Sequence, residues 1–169
     1  MLQPAANQHP APVDVSGTAR NKVNMHADAI LDDFEDSSAW AVFASGQARL
    51  TLQPDRGPGG NALRLDFDFQ GGGGFVVARR PLPLQLPESY AFSFNIRGDA
   101  PPNIFEFKLA DAANSNVWRY RVEAFAFPAD WQELTIRSSQ IEFAWGPLGG
   151  GPARDIAALE IVIAAGTGG

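Results

Sequence analysis

Cysteine is absent from the 169 residues, which removes disulfides, thiolate nucleophiles and cysteine metal sites together and leaves the redox compartment undecided. Histidine is scarce. The two present, His9 and His26, fall in the amino-terminal segment, so the chain from Ile30 onward has no imidazole to act as general base or metal ligand. No apolar run approaches roughly 18 residues, and Met1 to Asp28 lacks a basic start followed by an apolar stretch, so neither a membrane span nor a signal peptide is read in this sequence. Positive charge is in deficit, with 13 Lys and Arg against 19 Asp and Glu for a net charge of −6. A generic basic footprint for nucleic acid or an anionic membrane is therefore excluded, and polyanion binding is disfavoured, although a local cationic patch is not.

What the chain has in abundance is punctuation. Seventeen Gly and 13 Pro argue against a helical bundle and for many short strands, while 45% hydrophobic residues suit a single core. Residues 1–29 contain no aromatic side chain and hold no sustained period, and are read as a tail or linker. From Ile30 the texture becomes alternating. Leu63-Arg64-Leu65-Asp66-Phe67-Asp68-Phe69 puts apolar side chains on one face and charges on the other, as a half-buried antiparallel strand requires. The same period recurs in Tyr90–Arg97, Phe105–Leu109 and Trp118–Glu123. Further strands are predicted at Leu31–Glu35, Arg49–Gln53, Phe75–Arg79, Gln132–Ile136 and Ala158–Ile163. With turn-forming clusters between them, these strands predict an all-β fold, a sandwich of two antiparallel sheets over residues 30–169.

Three constellations could carry chemistry. Asp66 and Asp68 stand two apart on one strand, about 7 Å between Cα atoms, a separation that suits two carboxylates flanking a glycosidic bond and also arises on any solvated strand face. Asp32, Asp33, Glu35 and Asp36 surround Phe34. Within a strand, Asp33 and Glu35 would share the face opposite Phe34, which makes them the candidate ligands for a structural calcium ion, against the simpler reading of a charged strand start. Finally Glu106, Lys108, Arg119 and Arg121 occupy alternate positions on two predicted strands. If those strands pair, four charges form one patch that could donate to and accept from sugar hydroxyls, the alternative being salt bridging on a solvated sheet. Of the four tryptophans, Trp118 is the favoured ring platform because Arg119 and Arg121 follow it, and Tyr120 on the same strand joins the candidate set. Trp40 and Trp131 are read as packing ahead of platform, and so is Trp145, although its place beside a glycine-rich loop is one that favours a ligand platform. No Gly-x-Ser-x-Gly elbow occurs, and the Gly71–Gly74 run lacks the Gly-Lys-Ser/Thr ending of a phosphate loop.

Ile30-Leu31-Asp32-Asp33-Phe34-Glu35-Asp36 with Trp40, then Ala62–Phe69, Phe92–Asp99, Phe105–Asp111, Asn116-Val117-Trp118, Trp131 and Phe143-Ala144-Trp145-Gly146-Pro147 occur in an order that resembles galactose-binding-like jelly rolls. These serve as non-catalytic carbohydrate-binding modules in bacterial discoidin-domain-containing glycosidases. The resemblance implies a jelly roll that binds oligosaccharide or polysaccharide, a linked glycosidase domain, a structural calcium ion, and a secreted or periplasmic location. It also implies a further strand beyond Gly169, whose loss would leave an edge beside Leu159–Ile163. The rival readings are a protein-interaction sandwich like the complex I intermediate-associated family, a structural spacer, and a small hydrolase acting through Asp66 and Asp68.

Overall fold

The computed structural model describes Val23–Asn24 and residues 29–166. Apart from those two residues and position 29, the expected tail lies outside the described residues. In chain order the strands are β1 (Val23–Asn24), β2 (Ala41–Ala44), β3 (Arg49–Gly57), β4 (Gly60–Asp68), β5 (Phe75–Gln85), β6 (Ala91–Ile96), β7 (Asn103–Ala110), β8 (Val117–Phe125), β9 (Gln132–Arg137), β10 (Glu142–Trp145) and β11 (Asp155–Ala164). Two short 3-10 turns, Ser37–Ala39 and Ser138–Gln140, are the only helices among the described residues.

One layer is a sheet of order β1-β5-β11-β7-β8-β10, with β2 also pairing β5. All its pairs are antiparallel except β1 with β5. The second layer is two antiparallel pairs, the hairpin β3–β4 and β6 with β9, the latter joined through β7 and β8 of the large sheet. Alternation explains why they stack. Phe105, Phe107 and Leu109 of β7 and Trp118 of β8 face inward, where they meet Phe92 of β6 and Ile136 of β9 in one cluster. Phe92 and Phe107 approach to 5.0 Å between ring centroids. A satellite cluster joins Phe69, beyond β4, to Val76 and Ile163 of the large sheet. The all-β sandwich predicted from the alternation is the fold observed.

Several boundaries differ from those predicted, each for a local reason. Leu31–Glu35 is not a strand: Phe34 has φ 57°, and the Asp32 and Asp33 side chains accept from the backbone N–H of Phe34 and Glu35 at 2.8 and 3.1 Å. Such Asx turns compete with a sheet ladder. β3 and β4 extend beyond the predicted ends at Gln53 and Leu63, closing only at Pro58-Gly59. β5 continues past Arg79 through Pro81 and Pro83. It can do so because its β2 partner ends at Arg79 and its β11 ladder shifts register opposite Pro81, where a missing N–H is tolerated. β11 is bonded on both flanks, to β5 and β7, so the edge expected beside Leu159–Ile163 is not there.

The core assignment predicts that Phe105→Ala, at a site 1% exposed, lowers unfolding free energy by about 3–5 kcal/mol. Val42→Ala, on an edge strand at 42% exposure, should cost less than about 1 kcal/mol. Urea denaturation of both variants measures the contrast.

Candidate functional site: the open face of the large sheet

The large sheet has one face on the core and one free of the second layer. Antiparallel register decides what stands on the free face. One row across it reads Ala41, Arg79, Glu160, Lys108, Arg119 and Glu142. The next reads Phe43, Val77, Val162, Glu106 and Arg121. From β2 to β10 there are five strand spacings, roughly 24 Å, several times the length of one sugar ring.

β7 and β8 do pair, and Glu106, Lys108, Arg119 and Arg121 form one cluster. Glu106 is its centre, with 3% of its surface exposed. Its carboxylate accepts from Lys108 Nζ at 2.8 Å, Arg119 Nη1 at 2.9 Å and Arg121 Nη1 at 2.5 Å. Arg121 is held on its other side by Glu123, through Nε at 2.6 Å and Nη2 at 3.0 Å. Burial pushes the Glu106 pKa up, but the hydrogen bonds from Lys108 and Arg121 outweigh it and hold the carboxyl below its ordinary range. The same contacts, from Glu123 first and Glu106 second, raise the Arg121 pKa. Arg79 and Glu160 form a separate ion pair on the same face. Sequence alternation could not supply this pair, because its members are brought together only by the β5–β11 register.

Trp118 and Tyr120 are corrections. Both sit on the opposite face of β8 from Arg119 and Arg121. Trp118 is 4% exposed, stands edge-on to Phe143 at 5.7 Å, and donates from Nε1 to the Gly151 carbonyl at 2.8 Å. Tyr120 packs against the same core. The period of 2 that places Arg119 outward places Trp118 inward, so neither ring can cover a ligand on the charged face. Trp40 is also core, stacked on Phe34, and Trp131 lies under the Arg97 guanidinium at 4.8 Å.

The tryptophan on the open face is Trp145, 50% exposed. Phe143 is registered with Trp118 and Trp145 with Val117, a one-residue bulge intervening. Without that bulge both rings would share a face. With it, Phe143 enters the core and Trp145 turns outward beside the arginines. The loop that follows is pinned: Asn116 Oδ1 accepts from Leu148 N at 2.9 Å, while Asn116 Nδ2 donates to Asp111 at 2.6 Å. Gly146 has φ 136°, and a Cβ there would lie 2.4 Å from the Ser115 carbonyl oxygen and 2.5 Å from Asn116 Oδ1, so only glycine fits. At the far end of the face Phe43 and Phe75 are 53% and 45% exposed. The run Ala41–Ala44 carries no alternation, so nothing in the sequence flags Phe43.

Asp33 and Glu35 are exposed on the turn described above, not on one strand face. Asp32 is engaged by Arg80 at 2.5 Å and Asp36 by Ser38. Among the described residues no group of three or more His, Asp or Glu converges to hold a metal ion. Asp66 bonds Arg64 at 2.8 Å, and Asp68 accepts from the Gln70 backbone at 2.7 Å. They line a shallow hollow of about 250 Å³ with Asp99 and Pro101. Asp66 is committed to Arg64 on its own strand and Asp68 to Gln70 just beyond it, and no His accompanies them among the described residues.

No protein-family model and no curated protein sequence matches this chain. Solved structures do. A family 11 carbohydrate-binding module of the cellulosomal cellulase Lic26A-Cel5E of Clostridium thermocellum has TM-score 0.65 at 18% identity, covering 84% of this chain and 87% of that one. A family 11 module from the same organism in complex with a β-1,3-1,4-mixed-linked tetrasaccharide has TM-score 0.63 at 19% identity, covering 80% and 85%. A solution structure of CtCBM11 has TM-score 0.60 at 16% identity, covering 82% and 91%. The fold of this chain is the β-sandwich of those carbohydrate-binding modules.

Because the depressed Glu106 pKa contributes stability only while the carboxyl is ionised, that contribution is present at neutral pH and lost as pH falls below the ordinary glutamate range, about 4.3. Glu106→Gln should cost about 1–3 kcal/mol at pH 7, and the difference from the parent chain should shrink steadily below pH about 4 in denaturant titrations run across that window.

Proposed function

We propose that this chain is a non-catalytic carbohydrate-binding module whose ligand lies across the open face of the large sheet, and that it holds an associated glycosidase near its polysaccharide outside the cytoplasm. The observation that carries this reading is the composition of one continuous face. Exposed rings stand at both ends, Trp145 at one and Phe43 with Phe75 at the other, and a hydrogen-bonded ion network lies between. A sugar has the matching duality, apolar C–H faces for rings and hydroxyls that both donate and accept. The fold it shares with a module solved in complex with a tetrasaccharide supports the same reading. Non-catalysis is supported by the engaged state of Asp66 and Asp68 and by the lack of any thiol in the chain.

Affinity should be modest, with Kd about 10⁻³ to 10⁻⁵ M, because sugar hydroxyls must give up water they already bind well. Affinity electrophoresis against neutral and acidic polysaccharides, followed by calorimetry on the best oligosaccharide, should show Trp145→Ala weakening binding by about tenfold or more with an unchanged melting temperature. Full affinity in that variant would remove the ligand from this face. A protein-docking role is the second reading, favoured by the adjacent exposure of Phe43 and Phe75 on β2 and β5. Unaltered glycan affinity in Phe43→Ser would assign that end of the sheet to it.

A further inference from the structure

We infer that the ligand of this face carries a carboxylate: a glycan with a uronic acid unit whose acid group seats over Lys108 and Arg119. This rests on the carbohydrate reading above. Three cations share one carboxylate, and the layering is unequal. The Glu106 side chain is 4% exposed, against 19% for Lys108, 30% for Arg119 and 28% for Arg121. An incoming ligand therefore meets the cations, with the acid beneath them.

Donor accounting narrows the position. Arg121 has all three nitrogens engaged by carboxylates, one on Glu106 and two on Glu123. Lys108 directs one of its protons at Glu106. Arg119 gives Nη1 to Glu106, while its Nε is buried with no hydrogen-bond partner. Lys108 and Arg119 are register partners across β7 and β8, so the unused cationic capacity of the face gathers on two adjacent side chains. The neighbouring acids are engaged elsewhere, Glu160 by Arg79 and Glu123 by Arg121. Glu142, exposed opposite Arg119, is the exception.

A hydroxyl could fill an N–H here but would add no countercharge to what Glu106 and Glu142 supply. A carboxylate supplies two oxygens in the fork geometry a guanidinium accepts. Trp145, opposite Val117, is the diagonal neighbour of Arg119, about 7–8 Å away. One ring can therefore lie on the indole while its acid group reaches the arginine. The overall charge of −6 repels a dense polyanion, which restricts the ligand to chains with sparse acid groups.

The test uses calorimetry with the full chain on pairs of oligosaccharides built on gluco, galacto, manno and xylo backbones. One member of each pair bears a single uronate and the other is its carboxyl-reduced counterpart. For whichever backbone binds, the uronate member should bind at least about fivefold tighter, an advantage that shrinks between about 50 and about 500 mM NaCl. Arg119→Gln should erase the advantage, so that the two members of a pair bind equally, and Glu142→Gln should enlarge it. Equal or tighter binding of the reduced member overturns the uronate assignment while leaving carbohydrate binding intact. Failure of every pair overturns both.

Discussion

Glu106 sits on the solvent-facing side of the large sheet, yet almost none of its surface reaches solvent, because Lys108, Arg119 and Arg121 fold over it. An ionised carboxylate so enclosed is tolerable only with several charged donors around it. Three long, rotamer-rich side chains are equally hard to hold in one place without a common acceptor. Each requirement answers the other. The carboxylate fixes where the cations stand, the cations keep it ionised, and the charged half of the face is preorganised before any ligand arrives.

The apolar half is organised by a different constraint, the parity of the strand. β8 sends Trp118 into the core and Arg119 outward, so a tryptophan adjacent to the arginines in sequence cannot stand beside them in space. β10 solves that by breaking parity: the bulge between Phe143 and Trp145 turns one aromatic in and the next out. A strand end altered in this way would wander without support. The Asp111–Asn116–Leu148 bonds and the glycine-only site at Gly146 supply it. One loop thus serves the core, through the Trp118 bond to Gly151, and the open face, through Trp145.

Stacked on this arrangement, the division of labour between the layers becomes intelligible. The hairpin β3–β4 and the antiparallel pair β6–β9 close the core and carry polar residues to their own exterior, such as the Ser93–Thr135 hydroxyl pair at 2.8 Å. The second layer leaves the other side of the large sheet uncovered, and there Arg79 donates to Asn114 of the loop between β7 and β8 at 2.8 Å. Its free face mixes Val77 and Val162, nearly inaccessible, with ion pairs, and the two kinds of surface meet along the rows that cross β5, β11 and β7.

Alternation by itself determined that the chain is all-β, which faces of β4, β6, β7 and β8 point inward, and that Glu106 goes with Lys108 on one face and Arg119 with Arg121 on another, because a period of two is a local property of extended backbone; that the two pairs form one cluster was decided by the β7–β8 register. It misread Leu31–Glu35, where Asx turns outcompete the ladder, and it passed over Ala41–Ala44, an edge strand with no buried face to pattern. What stands next to what was decided by register between strands far apart in sequence. Arg79 meets Glu160, and Phe43 shares a row with Val77, because hydrogen-bonded ladders join β2, β5 and β11. The choice of Trp145 over Trp118 as the outward ring depends on one inserted residue in a ladder. Pairing partners and bulges are contacts between distant segments, and no local period encodes them.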